Sequence, residues 1–147
     1  MSALDFIQTS TARRVGDAER ARILAAPGFG QHYTDFMAHA RWTVESGWGG
    51  GEVLPFGPLQ LSPAAAVLHY GQEIFEGLKA FRHADGSVWT FRPEANGERL
   101  QRSARRLALP ELPVPDFLAS LRALVAADEP WVPEATSEES LYLRPFM

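Results

Sequence analysis

The chain has 147 residues, of which 46% are hydrophobic and 22% charged, with a formal net charge of −4 and no cysteine. Such a chain suits one globular domain with a real core. The charge leaves no basic footprint for nucleic acid, the missing thiols exclude disulfides and thiolate metal sites, and no apolar run approaches the roughly 20 residues that span a bilayer. Met1 to Asp5 is not a basic region followed by an apolar stretch, so no secretory signal is expected and the cytoplasm is the default location.

Residues 1–27 are weakly patterned and read as a tail, with a short helix over Asp17 to Ala26 that Pro27-Gly28 would stop. The segment Phe36 to Val44 alternates apolar and polar residues and reads as a half-buried strand. The glycine-rich run Gly47 to Gly51 reads as a flexible turn. A second extended segment follows over Glu52 to Leu61, limited by Pro55 and Pro58 to edge or irregular pairing. Pro63 at a first helical position predicts a helical turn over Ala64 to Leu68.

Ile74 to Arg82 reads as a strand, His83 to Gly86 as a hairpin turn and Ser87 to Phe91 as the returning strand. Helices are predicted from Pro93 to Leu107 and from Pro115 to Ala127. Gly97 inside the first costs about 1 kcal/mol relative to alanine. The second carries Val114, Phe117, Leu118, Leu121, Leu124 and Val125 at helical spacing. Ser140 to Phe146 closes the chain as a strand. Segregated strands and helices with a hairpin predict an α+β fold with an antiparallel sheet.

Several residues could carry chemistry. Tyr142 and Arg144, two apart in a strand, share a face opposite Leu141 and Leu143. A phenol beside a guanidinium can read an anion, though such a face is often simply solvated. Arg99 lies in a run with Arg92, Arg102, Arg105 and Arg106, which read alone is a solvated helix face with some pairing to Glu94 and Glu98; an arginine fork is also the side chain best suited to a phosphate. Tyr70 and Phe75 suit aromatic packing. Lys79, the single lysine, falls in an outward phase of its strand, which argues against Schiff-base chemistry. The four histidines have no metal-ligand spacing, and no glycine-rich phosphate cradle occurs.

The run Leu68-His69-Tyr70-Gly71-Gln72-Glu73-Ile74-Phe75-Glu76-Gly77-Leu78-Lys79-Ala80-Phe81-Arg82 resembles the signature of the branched-chain amino-acid aminotransferases, pyridoxal-phosphate enzymes of fold type IV. Four further segments agree in the same order: Phe29-Gly30 with Thr34-Asp35-Phe36-Met37, Ser87 to Pro93, Glu98 to Pro110, and Ser140 to Phe146. The resemblance covers residues 28–147 and implies the small N-terminal α+β domain of that family. It implies that Arg99 contacts the cofactor phosphate and that Phe29 and Phe75 line the pocket for an apolar substrate side chain. Tyr142 and Arg144 would lie near the substrate carboxylates, and Tyr70 would reach the active site of a neighbouring subunit.

In the family the Schiff-base lysine, the acidic partner of the pyridine nitrogen and much of the phosphate cup lie in a second, larger domain, which this chain does not include. The chain alone is therefore expected to be inactive. The full enzyme would be a homodimer acting on amino acids and 2-oxo acids, moving the amino group of valine, leucine or isoleucine to 2-oxoglutarate. D-amino-acid aminotransferase and aminodeoxychorismate lyase are alternatives within the fold type, disfavoured by Phe75 to Arg82 and by Tyr142 to Pro145. A non-catalytic dimerisation module is an alternative of another class.

Overall fold

A computed structural model describes residues 3–9, 14–136 and 138–147. Part of the expected N-terminal tail lies outside the described residues. The elements are β1 (Ile7–Gln8), α1 (Asp17–Leu24), β2 (Phe36–Thr43), β3 (Gly47–Pro55), α2 (Ala66–Tyr70), β4 (Leu78–Arg82), β5 (Val88–Thr90), α3 (Pro93–Arg106), α4 (Val114–Ala127), a 3₁₀ turn at Glu129–Trp131 and β6 (Leu141–Leu143). This is an α+β arrangement in which antiparallel pairing dominates. The single sheet of the sequence reading is two three-stranded sheets, ordered β1-β3-β2 and β5-β4-β6.

The first sheet corrects the reading of the glycine-rich run. Gly47 to Gly51 is not a turn but the first half of β3, paired antiparallel to β2 with Trp42 opposite Trp48. The turn is Val44 to Ser46. Backbone pairing there satisfies the ladder without side chains, which is why a low strand propensity misleads. The alternation of β2 fails past His39, where the register slips against β3. The extra residue belongs to β3, where three steps from Glu52 to Gly49 face two from His39 to Arg41. β1 runs parallel to β3, and two residues are too short to show a period. The second extended segment stops at Pro55, as its prolines require, and α2 begins at Ala66 rather than at Ala64.

The second sheet carries the site. From Ile74 to Ala80 burial alternates strictly, with residues 74, 76, 78 and 80 inward and 75 and 79 outward. The backbone before β4 continues the pairing with the end of the chain. Ile74 and Met147 exchange both backbone hydrogen bonds at 2.9 Å, and the Glu76 amide donates to the Pro145 carbonyl at 2.8 Å. The inward face packs with Leu100 and Ala104 of α3, Phe117 and Leu121 of α4, and Leu143. A second cluster of Phe36, Val53 and Ala127 lies under the first sheet, and Leu124 of α4 touches both clusters. Helix α4 thus joins the two sheets.

Gly97 explains its own cost. It is buried where α3 meets α4, and a Cβ there would lie 3.1 Å from Phe117 and 3.3 Å from Val114. The helix gives up about 1 kcal/mol of propensity and gains a close approach of its partner.

Candidate active site

The stretch Phe75-Glu76-Gly77 organises the candidate site, because each of its three residues meets a different one of the side chains singled out in the sequence. Phe75 points outward from the sheet and lies under Arg144, whose guanidinium carbon is 4.5 Å from the ring centroid. Gly77 lies under the Tyr142 phenol so closely that any Cβ there would collide with the phenol oxygen. Glu76 points the opposite way, into the core, and meets Arg99.

On the outward face, antiparallel register sets Tyr142 directly opposite Lys79. The Tyr142 ring leans along the strand over Gly77. Arg144 donates to the Tyr142 hydroxyl from Nη2 at 2.8 Å and from Nε at 3.3 Å. The Phe29 ring meets the Tyr142 ring edge-on, with centroids 5.3 Å apart at 69°. Four residues singled out in the sequence, separated by up to 115 positions, therefore form one cluster: Phe29, Phe75, Tyr142 and Arg144. Leu143 between them is buried and Leu141 packs against the same core. The two faces of the terminal strand thus divide as the sequence predicts.

This cluster has a definite chemistry. Aromatic edges and faces hold the guanidinium in place, a contact worth about 0.5–2 kcal/mol depending on exposure. Arg144 is exposed and spends Nε and Nη2 on a neutral hydroxyl. Its charge has no carboxylate partner in the salt bridges among the described residues. A cation on an aromatic platform, with exposed apolar rings beside it, suits a ligand that combines a carboxylate with an apolar group.

The inward face tells a second story. Glu76 is 2% exposed, in a row otherwise made of Ile74, Leu78 and Ala80. Asn96 and Arg99, three apart on one face of α3, both reach it. Arg99 donates from Nε to Glu76 Oε1 at 2.7 Å and from Nη2 to Oε2 at 2.6 Å, and Asn96 Nδ2 donates to Oε2 at 2.8 Å. The Asn96 amide also approaches the Gly77 carbonyl at 3.3 Å. Burial pushes the Glu76 carboxyl up, but the Arg99 guanidinium and the Asn96 amide outweigh it and hold the group below the usual carboxylate range. Glu76 in turn raises Arg99. The expected partners of Arg99, Glu94 and Glu98, are not the ones it takes.

Tyr70 stands apart. It ends α2, is 85% exposed, and has His69 of its own helix as its ring neighbour at 6.2 Å. Lys79 is exposed on the outward face. Among the described residues no His, Asp or Glu group is arranged to hold a metal ion, and no helix is long and apolar enough to cross a membrane. Glu76, Asn96 and Gly77 are the site residues that sequence reasoning missed. The signal was available for one of them: a carboxylate in the inward phase of an alternating strand must find a partner.

Comparison with known proteins shows what the whole chain is similar to. The chain is 60% identical over 144 residues to the branched-chain-amino-acid aminotransferase of Mycolicibacterium smegmatis, covering 98% of this chain and 39% of that protein. It is 61% identical over 137 residues to a probable branched-chain-amino-acid aminotransferase of Streptomyces coelicolor, covering 93% and 38%. With the Mycobacterium tuberculosis enzyme of the same name it shares 51% over 145 residues, covering 99% and 39%. The chain thus spans about two fifths of the length of these relatives. No protein-family model matches it. Among solved structures, the branched-chain amino acid aminotransferase of Thermobaculum terrenum in its PLP form superposes with a TM-score of 0.50 at 21% identity, covering 64% of this chain and 29% of that one, a likeness of fold.

Proposed function

We propose that this chain, which belongs to the branched-chain-amino-acid aminotransferase family, supplies the substrate-reading half of an enzyme that moves the amino group of valine, leucine or isoleucine to 2-oxoglutarate. The observation that carries this reading is the cluster of Arg144, Tyr142, Phe75 and Phe29. Arg144 would hold a substrate carboxylate with the guanidinium edge left free by Tyr142. Phe29 and Phe75 would flank the branched side chain. One methylene in such a pocket is worth about 1–3 kcal/mol, so discrimination among the three amino acids would be modest.

The cofactor in this reading is pyridoxal phosphate, and Arg99 fits its phosphate. The Arg99 side chain is 59% exposed although its partner is buried. Glu76 occupies Nε and Nη2, so Nη1 still has both of its N–H donors for an anion. When bound, the cofactor supplies an electron sink for the substrate carbon. The lysine that would hold it, the acid facing its pyridine nitrogen and the rest of the phosphate cup would belong to the remaining three fifths of the full-length protein. Exposed Tyr70 suits the reading of a homodimer in which this residue reaches the neighbouring subunit's site, and a cytoplasmic location goes with it.

Glutamate formation by the full-length protein, assayed with 2-oxoglutarate and each of valine, leucine, isoleucine and D-alanine, tests the reading. Turnover with the three branched amino acids is expected. Turnover with D-alanine and none with those three would overturn it.

A further inference from the structure

A buried carboxylate in an apolar row is costly, and an aliphatic side chain of similar size would fill the same space without desolvating a charge. Glu76 is such a group, between Ile74 and Leu78 on the inward face. Its ion pair is lopsided: the carboxylate side chain is 1% exposed and the guanidinium side chain 59%. An ion pair serving only the core would bury both partners. Here the anchor is fixed inside and the cation is presented outside.

The anchor is over-determined. Both oxygens of Glu76 are engaged, Oε1 by Arg99 and Oε2 by Arg99 and Asn96 together. The Glu76 amide is itself tied to the Pro145 carbonyl, so the carboxylate sits on paired backbone rather than on a loop. A two-pronged bond fixes the plane of the guanidinium, which a single bond to a flexible partner does not. The plane being fixed, the direction of the free Nη1 edge is fixed too. Pre-organised donors cost no ordering entropy when an anion arrives.

We propose that Glu76 is a positioning residue for the cofactor phosphate: it clamps Arg99 by Nε and Nη2 so that Nη1 faces the anion, with Asn96 locking the second carboxylate oxygen. The inference rests on the reading of Arg99 as a phosphate ligand. It also assigns Phe75-Glu76-Gly77 a double duty, one side chain setting the phosphate arginine and its two neighbours supporting the substrate arginine and its phenol.

The test uses the full-length protein stripped of cofactor and titrated at equilibrium with pyridoxal phosphate and, separately, with pyridoxal, which lacks the phosphate. Wild type is compared with Glu76→Gln, Glu76→Asp, Arg99→Ala and the double variant Glu76→Gln/Arg99→Ala. Glu76→Gln is expected to weaken pyridoxal phosphate about tenfold, as coupled pairs do, to leave pyridoxal unchanged, and to add nothing in the Arg99→Ala background. Glu76→Asp, which keeps the charge on a shorter arm, should fall between; should Glu76→Gln not fold, this variant carries the same comparison. Equal weakening of pyridoxal phosphate and pyridoxal would make Glu76 a structural residue and overturn the proposal. So would an unchanged affinity in Glu76→Gln alongside a weakened one in Arg99→Ala. An unchanged affinity in Arg99→Ala would instead remove the phosphate reading of Arg99, and the proposal with it.

Discussion

Arg144 rests on the ring of Phe75, its guanidinium carbon 4.5 Å from the centroid, although the two residues lie 69 positions apart in the chain. The contact exists because the residues before β4 run antiparallel to the end of the chain, with an isolated bridge between Phe75 and Phe146. The platform is therefore a product of backbone register, and the seat of Arg144 depends on the last residues of the chain being paired.

A side chain at Gly77 should push the Tyr142 ring out of its place. A methyl group there would meet the Tyr142 phenol oxygen and approach Cζ to 3.1 Å. Gly77→Ala is expected to destabilise by about 1–3 kcal/mol, the usual cost of overpacking. Tyr142→Phe, which removes the colliding oxygen, should recover part of that loss. Chemical denaturation of the single and double variants measures both; equal cost of Gly77→Ala in the two backgrounds would refute the contact.

Leu143→Ala separates folding from function. The side chain is buried in the cluster of Ile74, Leu78, Leu100 and Phe117. Its truncation should cost about 2–5 kcal/mol. The ratio of KM values for leucine and 2-oxoglutarate should stay unchanged, because the neighbouring Tyr142 and Arg144 face the other way. A changed ratio at unchanged stability would contradict the division of the two strand faces.

Asp128 should make stability depend on pH. It is 1% exposed at the end of α4 and accepts backbone N–H bonds from Asp35 at 3.2 Å and Phe36 at 3.4 Å. Burial pushes its pKa from an ordinary 3.8 up to about 6, with the neighbouring Asp35 adding to the rise and Thr34 and the Phe36 amide opposing it. The folded state therefore holds a proton over a range in which the unfolded chain has released it. That contribution is complete below about pH 4 and is lost as pH rises through about 6, up to about 3 kcal/mol. Glu76 works in the opposite sense: its lowered pKa contributes stability above about 4.5 that is lost on further acidification. Melting temperatures between pH 4.5 and 6.5 should fall in wild type and lose that slope in Asp128→Asn. An identical slope in both would exclude Asp128 as its source.

The helices and the β4–β5 hairpin were legible because their signals are local. Pro93 and Pro115 sit in first turns, apolar residues recur at helical spacing, and His83 to Gly86 closes the hairpin. Tyr142 and Arg144 were legible for the same reason, since a period of two fixes which residues share a face. The β1 pairing, the glycine-rich half of β3 and the register slip after His39 were not, because each is set by a partner strand rather than by the segment itself. Arg99 shows the limit most clearly. Its helix neighbours Glu94 and Glu98 are close in sequence, yet it bonds Glu76, 23 residues back. Only tertiary packing of α3 on the sheet brings those two groups together.

The central claim is that Arg144 reads a substrate carboxylate, and steady-state kinetics of Arg144→Gln in the full-length protein test it most directly. The diacid 2-oxoglutarate has one carboxylate more than leucine and more use for the exposed fork of Arg144. Losing a charge-assisted bond of this kind is worth roughly 10- to 100-fold. The KM for 2-oxoglutarate should rise by about that factor, that for leucine far less, and the melting temperature should hold because Arg144 is exposed and leaves no buried group unpaired. Normal kinetics per folded molecule in a destabilised Arg144→Gln protein would make the residue a structural support and contradict the account.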